Sequence, residues 1–172
     1  MKKPNKMPKP LPLVSLRAEA IEGFLLHFFA NVNLAADALE AMEPHGLAKT
    51  HNRILSFVAF SPGVTVGEMV SALRVSHQNL NGPMRLLQKS GLLIAKIGNE
   101  DRRQRQLFVS AKGRRLVEQA LARQMTRVEA AYRECGPDAV AGFLKVQRHL
   151  VEQQDRDWVE RLKLDPAEVT RA

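Results

Sequence analysis

The side chains best suited to recognition chemistry fall in two short runs, S-H-Q-N-L-N-G-P-M-R at 76–85 and E-D-R-R-Q-R at 100–105. Around Leu80, the first run offers Ser76, His77, Gln78, Asn79, Asn81 and Arg85. An amide side chain donates and accepts together, so Asn and Gln can pair with an adenine edge in the major groove, and Arg with guanine. The second run sets Arg102, Arg103 and Arg105 beside Asp101. Arginine suits the narrow, electronegative minor groove. Asp101 would repel phosphate if it faced outward, and is better used holding Arg103 extended through an ion pair. The plainer reading of both runs is a solvated helix face and a solvated hairpin with incidental charge.

Charge separates these readings. Between Arg74 and Arg115 ten Lys or Arg stand against Glu100 and Asp101, a net of +8. The whole chain of 172 residues is also +8, so everything outside this stretch is neutral. Charge gathered in one short region is a binding footprint for a polyanion rather than general solubilisation. Reaction chemistry is not visible. The histidines at 27, 45, 51, 77 and 149 form no H-E-x-x-H, and a lone Cys135 allows no C-x-x-C. Neither G-x-x-x-x-G-K nor G-x-G-x-x-G occurs. No enzyme, metal or cofactor is expected.

The elements that must position the two runs can be read from spacing. A helix over 66–73 turns its Met69, Val70 and Leu73 inward, and Arg74-Val75 is the turn after it. Many such turns carry Gly where Arg74 stands, because a left-handed backbone is convenient there. Ser76 is a good N-cap for a second helix over 76–90, with Leu80, Met84 and Leu87 inward at i, i+4 and i+7. Pro83 removes one N–H and crowds the Asn79 carbonyl, so a bend is expected near Gly82-Pro83, re-aiming the first turn; a later helix start is the alternative. Gly91 ends the helix. A strand over 92–97, a charged turn over 98–103 and a return strand over 104–109 form a hairpin. A short helix, a turn, a second helix and a hairpin make a winged helix-turn-helix.

Long helices flank that unit. Leu16, Ala20, Phe24, Phe28, Ala35, Leu39 and Met42 recur at helical spacing over 13–42. Such a helix spans about 40 Å, too long for a small domain to cover alone, which points to a second chain alongside. Glu43–Gly46 is a turn, and a helix over 48–60 buries Ile54, Leu55, Val58 and Ala59. After the hairpin, a helix over 114–134 carries an apolar line of Val117, Leu121, Met125, Val128, Tyr132 and Cys135, close to a heptad seam. By this reading the Cys135 thiol is buried. Gly136-Pro137 breaks it, and one last helix runs over 138–162. The fold class is mainly α with a small β-hairpin wing. Its divisions are a flexible basic arm over 1–12, an N-terminal helix of a dimerisation region over 13–46, a winged helix-turn-helix over 47–115, and C-terminal dimerisation helices over 116–172. An intramolecular bundle is the alternative role for the long helices.

Three stretches together resemble the MarR family of bacterial winged-helix regulators: V-G-E-M-V-S-A-L-R-V-S at 66–76, L-Q-K-S-G-L at 87–92 and E-D-R-R-Q-R-Q-L-F-V-S-A-K-G-R-R-L at 100–116. The resemblance covers roughly 47–116. Arg74 and Gly82-Pro83 depart from the family pattern. The resemblance implies a homodimer on a near-palindromic double-stranded DNA site, acting as a repressor relieved by a small molecule. It places Asp101 and Arg103 in the wing, with the arginine reaching the minor groove. It also implies an effector cleft between the helical platform and each reader, for which His27, His51 and Arg53 are candidates, Arg53 pairing with a carboxylate. Ordinary packing or surface roles are the alternative for those three. Some relatives sense oxidants by cysteine, a further reading of Cys135.

The competing function is a winged-helix protein-interaction module that binds an acidic partner and holds DNA only non-specifically. No apolar run approaches the length of a membrane span, and the basic start lacks the apolar core of a secretory signal. With one cysteine, a cytoplasmic setting is expected.

Overall fold

The computed structural model describes residues 17–98 and 104–161. In chain order the elements are α1 (Ala18–Met42), a 3-10 turn (Glu43–His45), α2 (Lys49–Phe60), α3 (Val66–Leu73) and α4 (His77–Lys89). Strands β1 (Leu93–Ile97) and β2 (Arg105–Val109) follow, then α5 (Ala111–Cys135), α6 (Pro137–Leu150) and α7 (Gln153–Arg161). The expected fold class holds: mainly α, with one antiparallel hairpin. The proposed basic arm over 1–12 lies outside the described residues, as do the wing-tip residues 99–103. The chain divides into two compact units, one through Asn33 and one from Leu34. In the first, α1 leaves Phe24, Leu25, Leu26, Phe28 and Phe29 exposed.

The second unit is organised by one core. Ile54, Leu55 and Val58 of α2 pack with Met69 of α3 and with Leu80, Met84 and Leu87 of α4. Leu93 of β1, Leu107 of β2 and Leu116, Val117 and Ala120 of α5 close it. These inward positions on α2, α3 and α4 are the ones that spacing picked out. Local chemistry sets the element starts. Thr65 and Glu68 form a reciprocal cap on α3: the Thr65 hydroxyl accepts from the Glu68 N–H at 3.3 Å, and Glu68 Oε2 accepts from the Thr65 N–H at 2.8 Å. The Ser76 hydroxyl accepts from the Asn79 N–H at 3.3 Å at the start of α4. Pro83 lies inside α4, which continues unbroken to Lys89.

Hairpin register pairs Leu93 with Val109 and Ile97 with Arg105. The hairpin does not stand alone. Leu107 N–H donates to the Val64 carbonyl at 2.9 Å, and Gly63 N–H donates to the Leu107 carbonyl at 2.8 Å. The segment before α3 therefore acts as a second, short pairing partner for β2, beside β1.

Two helix boundaries differ from expectation. The helix after the hairpin starts at Ala111, not 114, because Ser110 caps it: its hydroxyl accepts from the Gly113 N–H at 3.0 Å and donates to the Gly91 carbonyl at 2.7 Å. The single last helix is two. Val151 is extended (φ −86°, ψ 132°), ending α6, and α7 begins anew at Gln153. Cys135, expected to be buried, is exposed, because the line it shares runs past the core; Met125 on the same line is also exposed.

Residues 34–42 of α1 are pinned to α5. Arg127 donates to both oxygens of Asp37, at 2.6 and 2.8 Å, Arg123 pairs with Glu40, and Gln124 donates to the Leu34 carbonyl at 2.9 Å. The Arg127 hydrogen bond holds the Asp37 carboxyl below its ordinary value. A depressed carboxylate contributes stability above its unfolded pKa of about 3.9, and that contribution is lost as pH falls through the folded value. Arg127→Leu is therefore expected to lower Tm modestly at pH 6, with the gap to the unaltered protein closing well below pH 4 (about 4 marks the free carboxylate). Thermal melts across that range check it; a gap independent of pH would remove Asp37 as the cause.

Candidate nucleic-acid interface

Because Leu80, Met84 and Leu87 anchor α4 from beneath, its opposite face is fixed outward. Ser76, His77, Gln78, Asn79, Asn81 and Arg85 are all exposed. Ser76 is engaged as the cap, which orders the first turn of the helix and aims its free N–H groups outward. At Gly82 a Cβ would meet nothing within 4 Å, so this glycine is not required by packing and leaves the outer face low at its centre. All six sequence-chosen residues of this run are thus exposed, spread around the sides of α4 that the core leaves open, with Asn79 also at the edge of a cavity shared with α2.

In the wing, Arg105 opens β2 and is exposed opposite Ile97. Gly98 N–H donates to the Gln104 carbonyl at 2.9 Å, closing the described ends of the hairpin. Lys96 Nζ lies 5.0 Å from the centre of the Phe108 ring. Asp101, Arg102 and Arg103 fall outside the described residues.

The three candidates for an effector cleft are less coherent. His27 lies in the first unit, and His51 and Arg53 in the second. His51 Nδ1 accepts from the Ala48 N–H at 2.9 Å, reaching back over the start of α2, where Ala48 offers no capping oxygen. Arg53 donates to the Leu73 carbonyl at 3.1 Å, at the end of α3. Arg53 also lines a cavity of about 350 Å³ with Thr50, Leu73, Val75 and Asn79. Among the described residues no group of three or more His, Cys, Asp or Glu is placed to hold a metal, and no helix is long and apolar enough to cross a membrane.

The residue that spacing undervalued is Arg74. Among the described residues it is the one non-glycine with positive φ (φ 50°, ψ 47°), the left-handed turn that the sequence suggested a glycine would prefer. Its Nη2 donates to Glu152 Oε2 at 2.8 Å and to Asp155 Oδ2 at 2.9 Å. Those hydrogen bonds, Asp155 first, raise the Arg74 pKa above its already high ordinary value. Three residues beyond Asp155, Trp158 meets Phe57 of α2 edge to face, 5.1 Å between ring centres. The arginine was legible as an anomaly; its partners, 78 and 81 residues away, carried no local signal.

Comparison with known proteins agrees with this arrangement. Residues 45–104 match the model of the MarR family. The HTH-type transcriptional regulator PetP of Rhodobacter capsulatus is 34% identical over 142 residues, covering 83% of this chain and 86% of that one. The chain belongs to the MarR family. The family consists of DNA-binding transcriptional regulators, not enzymes. Solved MarR-type structures share the fold. FabT of Streptococcus pneumoniae, solved in complex with DNA, gives a TM-score of 0.62 at 19% identity, covering 86% of this chain and 100% of that one. The transcriptional repressor CouR, bound to a 23-mer DNA duplex, gives 0.59 at 24% identity, covering 80% and 99%.

Proposed function

We propose that this MarR-family chain is a sequence-specific transcriptional regulator that binds a near-palindromic site on double-stranded DNA as a homodimer, in the manner of a repressor. The observation that carries the reading is the capped outer face of α4, where His77, Gln78, Asn79, Asn81 and Arg85 stand exposed beside a basic hairpin. Amide and guanidinium groups on a helix that fits the major groove can read base edges. Arg102, Arg103 and Arg105 would serve the minor groove, with Asp101 orienting Arg103, and Arg85 and Lys89 would meet phosphate at the edge. FabT and CouR, both solved on DNA, support duplex DNA as the partner.

The homodimer is supported by exposed apolar side chains. Besides those of α1, α6 exposes Phe143, Leu144, Val146 and Leu150. A monomer in water rarely leaves so much large apolar surface uncovered. Repression has the support of the name CouR carries. Relief by a small molecule rests on the family resemblance, and such an effector must bind the DNA-competent and incompetent states differently.

Selection of random duplexes at two salt concentrations tests the whole reading. A palindrome with half-sites about one helical turn apart is the expected result. Steep salt dependence with no enriched sequence would instead mean contact with backbone phosphate alone, and would move the acidic-protein interaction module ahead. On the selected site, Arg103→Ala is expected to weaken binding about tenfold or more while the protein keeps its fold and its oligomeric state. Unchanged affinity would remove Arg103 from the interface.

A further inference from the structure

α7 makes its described side-chain contacts at two points of the winged-helix unit. Its start grips the turn between α3 and α4, where Arg74 meets Glu152 and Asp155. Its middle rests on α2 through Trp158, which also packs against the core. Between α6 and α7 the chain is extended at Val151, so the break that splits the last helix is what lets α7 turn onto the reader.

The turn residue explains why this contact matters. A left-handed backbone costs an L side chain more than it costs glycine. Two residues beyond Arg74, Ser76 caps α4, so the direction of that turn fixes where the first turn of α4 points. The local backbone gains from Gly at 74, yet the chain carries an arginine whose Nη2 reaches both Glu152, just before α7, and Asp155 within it. Each ion pair is exposed, and such a pair is worth little alone. Here two share one nitrogen, and the aromatic contact lies one helical turn further along the same element.

We propose that α7 is a strap that positions the DNA-reading helix, with Arg74, Glu152, Asp155 and Trp158 as its positioning residues. This rests on the DNA-regulator reading above. The strap holds the left-handed turn in one geometry, and with it the base-facing residues from His77 to Asn81.

The sign of a charge change tests it. Glu152→Gln with Asp155→Asn removes two negative charges near the turn, and if α7 only repelled phosphate, DNA binding would tighten. The strap predicts the reverse: affinity for the selected site falls about three- to tenfold, the range open to two exposed pairs. Affinity for unrelated duplex holds or rises, so the specificity ratio drops. Adding Arg74→Gly to that double variant is expected to cost nothing further, because the grip is already gone. In the absence of DNA, amide hydrogen exchange over residues 74–79 should speed up in E152Q/D155N relative to the unaltered protein. Tighter specific binding, or exchange that does not change at the turn, overturns the strap. Because exchange is read without DNA, it judges the strap even where the unaltered protein selects no sequence, an outcome that would count against the DNA reading instead.

Discussion

Phe24→Glu combined with Phe28→Glu is expected to abolish the proposed dimer and, with it, tight DNA binding. Phe24 is 68% exposed and Phe28 52% exposed in the single chain. They lie four residues apart on α1 and so share one helix face. Burying a phenylalanine against a partner contributes about 1.5–3 kcal/mol, and a carboxylate in its place would carry an unpaired charge into the interface. Two such changes exceed what a dimer of ordinary affinity can absorb. The consequence for DNA is larger than the contacts themselves. A dimer engages its second half-site intramolecularly, and losing that linkage costs about 10²- to 10⁴-fold in affinity. Sedimentation velocity and duplex titration check the pair of effects, with circular dichroism reporting helix content. A dimer of unchanged size with unchanged affinity would place the interface elsewhere.

Gly113→Ala is expected to destabilise the winged-helix unit by about 3 kcal/mol, at the upper end of overpacking costs. A Cβ at this position would lie 2.2 Å from the Leu92 carbonyl oxygen and 3.1 Å from its carbon. Both are backbone atoms, and neither can swing aside. The same carbonyl accepts from the Ser110 N–H at 3.0 Å, and Ser110 in turn holds Gly91 and caps α5. Relief of the clash would pull α5 off the base of the hairpin. For a chain of this length that predicts a fall in Tm of roughly 10 °C. Gly67→Ala is the matched control: it lies in α3 with nothing within 4 Å of an added Cβ, so alanine should be neutral or gain about 0.5–1 kcal/mol. Equal melting of both variants would show that α5 tolerates displacement from Leu92.

Much of the reader was legible in the residues because its determinants are local. Inward faces at i, i+4 and i+7 gave Leu80, Met84 and Leu87, and all three are buried. A serine before a polar-faced helix gave the cap at Ser76, and the cap bond is there. Net charge concentrated in 74–115 located the candidate interface, since charge is additive along a sequence and needs no fold to be counted. The face and the cap each span a few residues, and the charge one continuous stretch.

What the sequence left open depends on pairs far apart. The seam through Cys135 reads as buried by period alone, but how much of a helix the core covers is set by the helix packed against it, and α5 outruns the core near Ala120. The last two helices read as one because no Gly or Pro stands at 151; the break is matched instead by contacts that α7 makes with Arg74 and Phe57. The second partner of β2 comes from residues 63–65, on the far side of α3 and α4 in the sequence. By itself the sequence determined which faces of the reader helices are apolar, that Ser76 caps α4 and where the net charge lies, because those follow from period, capping and composition. Only the tertiary structure decided which distant groups meet, because backbone and side-chain pairing across 78 residues is chosen by the packing of the whole unit and leaves no local trace.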